Sequence, residues 1–168
     1  MDNDDLWIDW YRFGDMDLEA AETLRDYSPQ KPLEIICYHC QQSVEKYLKG
    51  FLIANGEKAP RTHDLRLLQG LCYKIDPAFD DIADSCETLT IYSIQPRYPS
   101  ESHIGEKETV QAISEAKAVK TFVLQVTQEI CQKELRQQSG ESIQKDDRQE
   151  LIENNDGEQQ NGMTNQTL

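Results

Sequence analysis

Residues 32–55, PLEIICYHCQQSVEKYLKGFLIAN, decide the fold that the sequence predicts. The apolar side chains in this stretch recur every three or four residues, which is the period of one face of an α-helix. Pro32 suits the first turn of a helix, and Gly56 suits its C-terminal stop. We therefore predict a central core helix whose apolar face is built by Leu33, Ile36, Cys37, Cys40, Val44, Tyr47, Leu48, Phe51 and Leu52.

A second, narrower line of side chains runs along the same helix. It consists of His39, Ser43, Lys46 and Gly50, which are small or polar. Glu45 and Lys49, beside this line, stand at the favourable i, i+4 spacing for an ion pair. Another helix could pass closely along this line. For the polar side of the helix, which consists of Gln41, Gln42, Glu45, Lys46 and Lys49, two interpretations stay open: a solvated face with local ion pairing, or the seam of a dimer or a ligand cleft.

The rest of the chain also predicts helices. The first covers Leu6 to Tyr27, a third begins after Thr62 as its N-cap, a fourth covers Ala78 to Tyr92, and a last long helix begins at Gly105. No stretch has the alternation that indicates a strand of any length. The fold class is therefore all-α, with about five helices.

The composition changes near residue 135. Residues 136–168 carry seven acidic and three basic side chains, a net of −4, and few large apolar ones. Such a segment buries too little apolar surface to offset its ordering entropy. We predict a domain over residues 1–135 and a disordered acidic Gln/Asn-rich tail over 136–168.

Charge and cysteine usage bound the class of protein. The formal net charge of −14 disfavours non-specific binding to nucleic acid or anionic lipid as a bulk property. No stretch approaches a membrane span, and the acidic N-terminus lacks the basic region of a secretory signal. Five cysteines, an odd number, all lie in apolar helical patterns, which is typical of reduced thiols in a cytosolic protein. We expect a cytoplasmic protein without membrane association.

Cys37, His39 and Cys40 look like half of a zinc site. A structural zinc site needs four ligands, and the sequence has no second CxxC or HxxxH pair. On a helix both cysteines share the apolar face, as core residues do. We therefore predict neither a metal nor another cofactor.

Residues 45–75 are locally basic. They hold six Lys or Arg against three Asp or Glu, a net of +3 within an acidic chain. This division of charge favours a local anion or phosphate site. The candidate phosphate-binding residues are Lys46, Lys49, Arg61 and His63, although an imidazole at the start of a helix more often caps backbone donors than takes part in chemistry.

The strings CYHCQQSVEKYLKGFLIANGEKAPRTHDLRLL and IYSIQPRYPS resemble the HEPN domain over roughly residues 7 to 131. The resemblance implies a compact up-and-down helical bundle, commonly a homodimer. It also implies a prokaryotic protein often paired with a minimal nucleotidyltransferase as one half of a toxin–antitoxin pair, with RNA or a nucleotide as ligand. Tyr98 belongs to the Arg-Tyr-Pro element of this resemblance and joins the candidate ligand-binding residues.

Arg97 and His103 resemble the Arg-x4–6-His motif with which catalytic HEPN proteins cleave RNA without metal. An arginine grips phosphate with a permanently charged fork, and a histidine moves protons near neutral pH. This chain has Tyr98 after the arginine, where active members carry Asn, Asp or His, and Pro99 interrupts the run. The sequence therefore favours a dimeric interaction and nucleotide- or RNA-recognition module, with a metal-independent endoribonuclease toxin using Arg97 and His103 as the alternative.

Overall fold

The structure is a computed structural model that describes residues 6–93 and 104–160. It contains five α-helices: α1 (Leu6–Tyr27), α2 (Leu33–Ala54), α3 (Leu65–Tyr73), α4 (Ala83–Thr90) and α5 (Glu106–Gln160). Two 3₁₀ segments, Pro77–Ile82 and Ile91–Ser93, flank α4. The residues described contain no strand, so the predicted all-α class is confirmed.

Helix α2 lies at the centre of the core. Tyr47, Leu48 and Phe51 are fully buried, as the apolar period predicts. The ring of Phe51 lies 4.4 Å from that of Phe79, which in turn lies 5.1 Å from the ring of Phe122 on α5. Each aromatic pair adds to the free energy that burial alone supplies. The core thus connects α2, the 3₁₀ segment before α4, and α5.

Helix α1 packs antiparallel along α2, with Gly14 against Tyr47 and Gly50 against Tyr11. Its carboxylates reach lysines on two helices: Asp17 pairs with Lys46 of α2, whereas Asp15 pairs with Lys120 and Glu22 with Lys117, both of α5. The first 30 residues hold nine acidic and two basic side chains, a net of −7. Three of these nine acidic side chains therefore form ion pairs with other helices.

Helix α3 begins at a different cap from the one that the sequence suggests. The carboxylate of Asp64 accepts hydrogen bonds from the backbone N–H groups of Arg66 and Leu67, at 2.9 and 3.4 Å. The hydroxyl of Thr62 accepts from the N–H of Asp64 instead. The prediction of Thr62 as N-cap is wrong by two residues, because both side chains can cap and Asp64 lies at the geometric start of the helix.

The predicted fourth helix is divided. Pro77 opens a 3₁₀ segment, and the carboxylate of Asp76 accepts from the N–H of Ala78 at 2.9 Å. The α-helical part begins only at Ala83. Apolar spacing alone does not distinguish a 3₁₀ turn from an α-turn over so few residues.

The chain divides into two compact units, residues 1–127 and 128–168. The backbone of α5 continues as a helix to Gln160, although the sequence predicts disorder from residue 136. Glu, Gln, Lys and Arg are frequent there, and their high helix propensity is compatible with a helix that lacks an apolar face. The domain boundary at residue 135 stays a prediction.

No described helix is both long and apolar enough to cross a membrane. Four of the five cysteines are buried, whereas Cys131 is exposed. Burial raises the pKa of Cys40 and of Cys86 to about 12. These two thiols therefore stay protonated near neutral pH and pack as small apolar side chains.

Candidate functional site

Two clusters of charged side chains lie along α2. The first, the Asp17 cluster, consists of Asp17 on α1 with His39 and Lys46 on α2. Imidazole Nδ1 of His39 donates to one carboxylate oxygen of Asp17 at 2.9 Å, and the ammonium of Lys46 pairs with the other. Burial raises the pKa of Asp17, but the hydrogen bonds and charges of His39 and Lys46 outweigh it and hold this pKa below its ordinary value of 3.8. The cluster fastens α1 to α2.

The second, the Glu45 cluster, consists of Glu45, Lys49, His63 and Gln41. The ammonium of Lys49 donates to Oε1 of Glu45 at 2.8 Å, and both side chains are more than nine-tenths buried. Nδ1 of His63 lies 3.1 and 3.0 Å from the two carboxylate oxygens. The amide of Gln41 donates to Oε2 of Glu45 and to the backbone carbonyl of His63, both at 3.1 Å. This cluster fastens α2 to the loop before α3.

Helix α1 occupies the narrow polar flank of α2. A Cβ built on Gly50 would lie 2.5 Å from the ring of Tyr11, and one on Gly14 would lie 2.9 Å from the ring of Tyr47. His39 and Lys46, on the same flank, bind Asp17 of α1. The sequence indicated correctly that another helix passes closely here. The helix belongs to the same chain, however, so this flank is already covered within one protomer.

The polar residues of α2 are thus largely internal. Gln41, Ser43, Glu45 and Lys49 are buried, and the Glu45–Lys49 ion pair that the i, i+4 spacing predicts is present. The apolar residues of α2 face the remaining neighbours. The interpretation as a solvated face is therefore wrong for Gln41, Glu45 and Lys49, because α1 and the loop before α3 cover them.

The predicted phosphate-binding residues fall into two groups. Lys46 and Lys49 are engaged in the two clusters, with a quarter and less than a tenth of their side chains exposed. Arg61 is exposed, and the imidazole of His63 is 67% exposed. The structure brings Lys49 and His63 together through Glu45. Lys46 belongs to the other cluster, and Arg61 lies two residues before His63 in the same loop.

Arg97, Tyr98 and His103 lie outside the described residues. The 3₁₀ segment Ile91–Ser93 precedes them and α5 follows. Their proposed roles stay predictions.

Cys37, His39 and Cys40 do not converge as ligands. Both thiols are buried, and the imidazole of His39 is bound to Asp17. The described residues contain no group of three side chains placed to hold a metal ion. The half-site pattern in the sequence therefore reflects core packing.

The sequence favours an ordinary exposed or capping role for Asp17 over a functional one, whereas the structure leaves it only 14% exposed and paired with His39 and Lys46. The signal was present, since Asp17 is the one polar residue in an otherwise apolar helical stripe on the first helix. A carboxylate on a packing face needs a partner, and α2 offers a histidine and a lysine. The link from Glu45 to His63 was also missed, because these residues lie 18 positions apart on either side of a loop.

Helices packed around the buried core helix α2, with carboxylates that bind lysine and histidine, define an all-α domain. The model of the HEPN domain family matches residues 8–129, and the chain belongs to this family. Family membership supports a nucleotide- or RNA-related module in general. It confirms the resemblance that the motifs of α2 and α3 indicate.

The chain is also similar to a solved structure, that of TT1696 from Thermus thermophilus. The two share 25% sequence identity and a TM-score of 0.55, over 71% of this chain and 96% of the other. No functionally curated protein matches the chain.

Proposed function

We propose that this protein is a dimeric interaction and RNA- or nucleotide-recognition module of the cytoplasm. Its partner is a minimal nucleotidyltransferase-type protein in a toxin–antitoxin-like system. Family membership supports the general class. The observation that carries the proposal is the division of the basic residues of the stretch 45–75 into internal and exposed ones.

The internal cations, Lys46 and Lys49, form ion pairs that stabilise the fold, whereas the exposed cations are available to a ligand. Within the part of the chain that the structure describes, Lys58, Arg61 and Lys74 are exposed and form no ion pair. They lie in the loop after α2 and at the end of α3. Lys46 and Lys49, by contrast, have their charges offset by carboxylates. An anionic ligand is therefore attracted to the loop side of α2 and α3.

A direct test is the binding of a fluorescent single-stranded RNA to the full chain in EDTA at several salt concentrations. Arg61→Glu should weaken binding and lower the salt slope by about 0.7, the value for one phosphate contact on a single strand. Lys133→Glu is the matched control, since Lys133 is an exposed cation on α5. Equal losses in both variants would contradict the proposed surface.

The same reactions also test the endoribonuclease alternative. The recognition module leaves the RNA intact, and His103→Ala then has no effect on the RNA. Cleavage in EDTA that yields 2′,3′-cyclic phosphate ends, and disappears in His103→Ala, would identify a metal-independent nuclease instead. Such a loss would be plain, since general acid–base catalysis contributes typically 10²–10⁴-fold.

The dimer contact is proposed on α1. Leu6, Phe13 and Met16 are 45, 46 and 53% exposed, and their spacing of seven and three residues places them on one side of the helix. Exposed apolar side chains in a row support an interface more than single ones do. This surface replaces the polar flank of α2, which α1 covers.

Analytical ultracentrifugation tests the dimer. Phe13→Glu should convert the dimer to a monomer without loss of helix content, because the side chain is exposed within the protomer. Leu67→Glu is the control, since Leu67 is 48% exposed on α3. A wild-type monomer at tens of micromolar would refute the homodimer. Copurification of a nucleotidyltransferase-type protein with untagged protein tests the partner.

A further inference from the structure

The imidazole of His63 is held on one side and open on the other. Its Nδ1 lies within 3.1 Å of both carboxylate oxygens of Glu45, a side chain that is only 6% exposed. The imidazole itself is 67% exposed. Within the described part of the chain, its Nε2 has no hydrogen-bond partner.

This arrangement fixes the tautomer of the ring. A carboxylate only accepts hydrogen bonds, so the proton of neutral His63 stays on Nδ1. The lone pair is then on Nε2. His63 therefore presents an oriented, nucleophilic nitrogen at the surface.

The buried side of the cluster keeps Glu45 in place. Lys49 offsets its charge at 2.8 Å, and the amide of Gln41 binds both Glu45 and the backbone carbonyl of His63. The loop carrying the imidazole is thus tied to α2 at two points, through its ring and through its main chain. Such support favours one ring orientation over the several that a free surface histidine adopts.

His39 offers an internal comparison. It too has Nδ1 bound to a carboxylate, at 2.9 Å from Asp17, and a lysine shares that carboxylate. Only 27% of the imidazole of His39 is exposed, however. The two histidines have the same local chemistry and differ mainly in access to solvent.

We propose that Nε2 of His63 is a phosphoryl-acceptor site. The phosphoryl donor belongs to the class of small phosphoramidates. Arg61, two residues earlier in the same loop, is exposed and unpaired within the described residues. A guanidinium in the same loop favours the transferred phosphoryl group, whose charge is about −1.5 to −2 at neutral pH. Arg61 is shared with the proposed RNA-recognition surface, but labelling of His63 is measured without RNA and does not depend on RNA binding.

The transfer balances without another reactant. The donor is phosphoramidate in its zwitterionic form, whose amino nitrogen already carries three protons. The lone pair of Nε2 attacks phosphorus, the P–N bond breaks, and ammonia leaves with the electron pair of that bond. The ring keeps its proton on Nδ1 and acquires a positive charge. The carboxylate of Glu45 stabilises this charge as it develops, which is the effect that accelerates the step.

The test is to incubate the folded full-length protein with potassium phosphoramidate and to map the modification by mass spectrometry under alkaline conditions. We expect one phosphoryl increment on His63, formed much faster than any on His39. His63→Gln should lose this increment. Equal labelling of His39 and His63, or no labelling of His63 while free imidazole in the same reaction is phosphorylated, would overturn the proposal.

A second variant tests whether the carboxylate of Glu45, and not solvent exposure alone, makes His63 reactive. Glu45→Gln retains the side-chain volume and an oxygen acceptor but removes the negative charge, and circular dichroism establishes that it is folded. We expect slower labelling of His63 than in the wild type. If a folded Glu45→Gln protein is labelled at the wild-type rate, the carboxylate does not accelerate phosphorylation of His63, and the proposed role of Glu45 is refuted. If this variant does not fold, the comparison of His63 with His39 in the wild type decides alone.

Discussion

The Asp17 cluster and the Glu45 cluster use the same three groups at different depths. Each has a carboxylate that binds a lysine and a histidine. In the Asp17 cluster all three side chains are between 14 and 27% exposed, whereas in the Glu45 cluster the ion pair is nearly dry and the histidine is 67% exposed. The first cluster joins α1 to α2. The second combines a buried anchor with a group that solvent and ligands can reach.

Residue type alone therefore does not identify a ligand-binding cation. Lys49 carries the charge that a phosphate needs, yet its carboxylate partner lies in the same dry environment. Moving such a lysine to an external anion would leave the buried carboxylate of Glu45 without its ammonium partner, which costs several kcal/mol. Arg61 has no such constraint within the described residues.

The largest expected effect is the loss of the buried anchor. Glu45→Ala leaves the ammonium of Lys49 buried without its carboxylate and removes the acceptor of His63 and Gln41. Breaking a buried ion pair by removing one partner typically costs about 3–5 kcal/mol. We expect a decrease of that size in the free energy of unfolding, measured with urea. Glu45→Gln, which keeps a hydrogen-bond acceptor, should lose less.

The second largest loss of stability is expected where α1 closely approaches α2. Gly50→Ala places a methyl group 2.5 Å from the buried ring of Tyr11 and 3.2 Å from Cβ of Trp10, so the helices must separate. Overpacking of this kind costs about 1–3 kcal/mol. Thermal unfolding measures the change. Gly70→Ala is the control, since a Cβ on Gly70 meets nothing within 4 Å; an equal loss there would contradict the packing argument.

The Asp17 cluster should make the free energy of unfolding depend on pH. The folded pKa of Asp17 lies below 3.8, so the unfolded chain binds the proton more readily. The stabilisation by this group is therefore present above about pH 4 and is lost as the pH falls through the folded pKa. Asp17→Asn should lower stability at pH 6 and lose less between pH 5 and pH 3 than the wild type. Parallel stability curves for both proteins would refute this assignment.

The smallest effect concerns the two histidines. His63→Ala removes an imidazole that is 67% exposed and its hydrogen bond to Glu45, and should cost about 0.5–1.5 kcal/mol, the typical net contribution of one hydrogen bond. His39→Ala should cost more, because its imidazole is mostly buried between α1 and α2. Urea unfolding of both variants at pH 7 measures the difference. A larger loss for His63 would reverse the comparison of the two clusters.

Much of this architecture could be predicted from the sequence. The period of three and four in α2 identified the buried side chains, and the spacing of Glu45 and Lys49 predicted their ion pair. The small residue at Gly50 indicated a close helix approach. Local rules suffice for such features because each depends on residues within one or two turns.

The remainder depends on contacts distant in sequence. No local rule pairs Asp17 with Lys46, 29 positions away, or Glu45 with His63 across a loop. The basic stretch 45–75 appeared uniform in the sequence, whereas burial divides its cations into internal and exposed ones. Tertiary packing determines which of these cations are buried, and this cannot be inferred from the composition of the stretch.

Two variants, Lys49→Met and Arg61→Met, distinguish a structural cation from a ligand-binding one when stability and RNA binding are both measured. Lys49→Met leaves Glu45 buried without its lysine, so we predict a loss of about 3 kcal/mol or more in the free energy of unfolding and an unchanged RNA affinity of the folded protein. Arg61→Met should show the reverse: wild-type stability and weaker binding. If Lys49→Met were as stable as the wild type and failed to bind RNA, the lysine would be a ligand-binding residue and the account of the Glu45 cluster would be wrong.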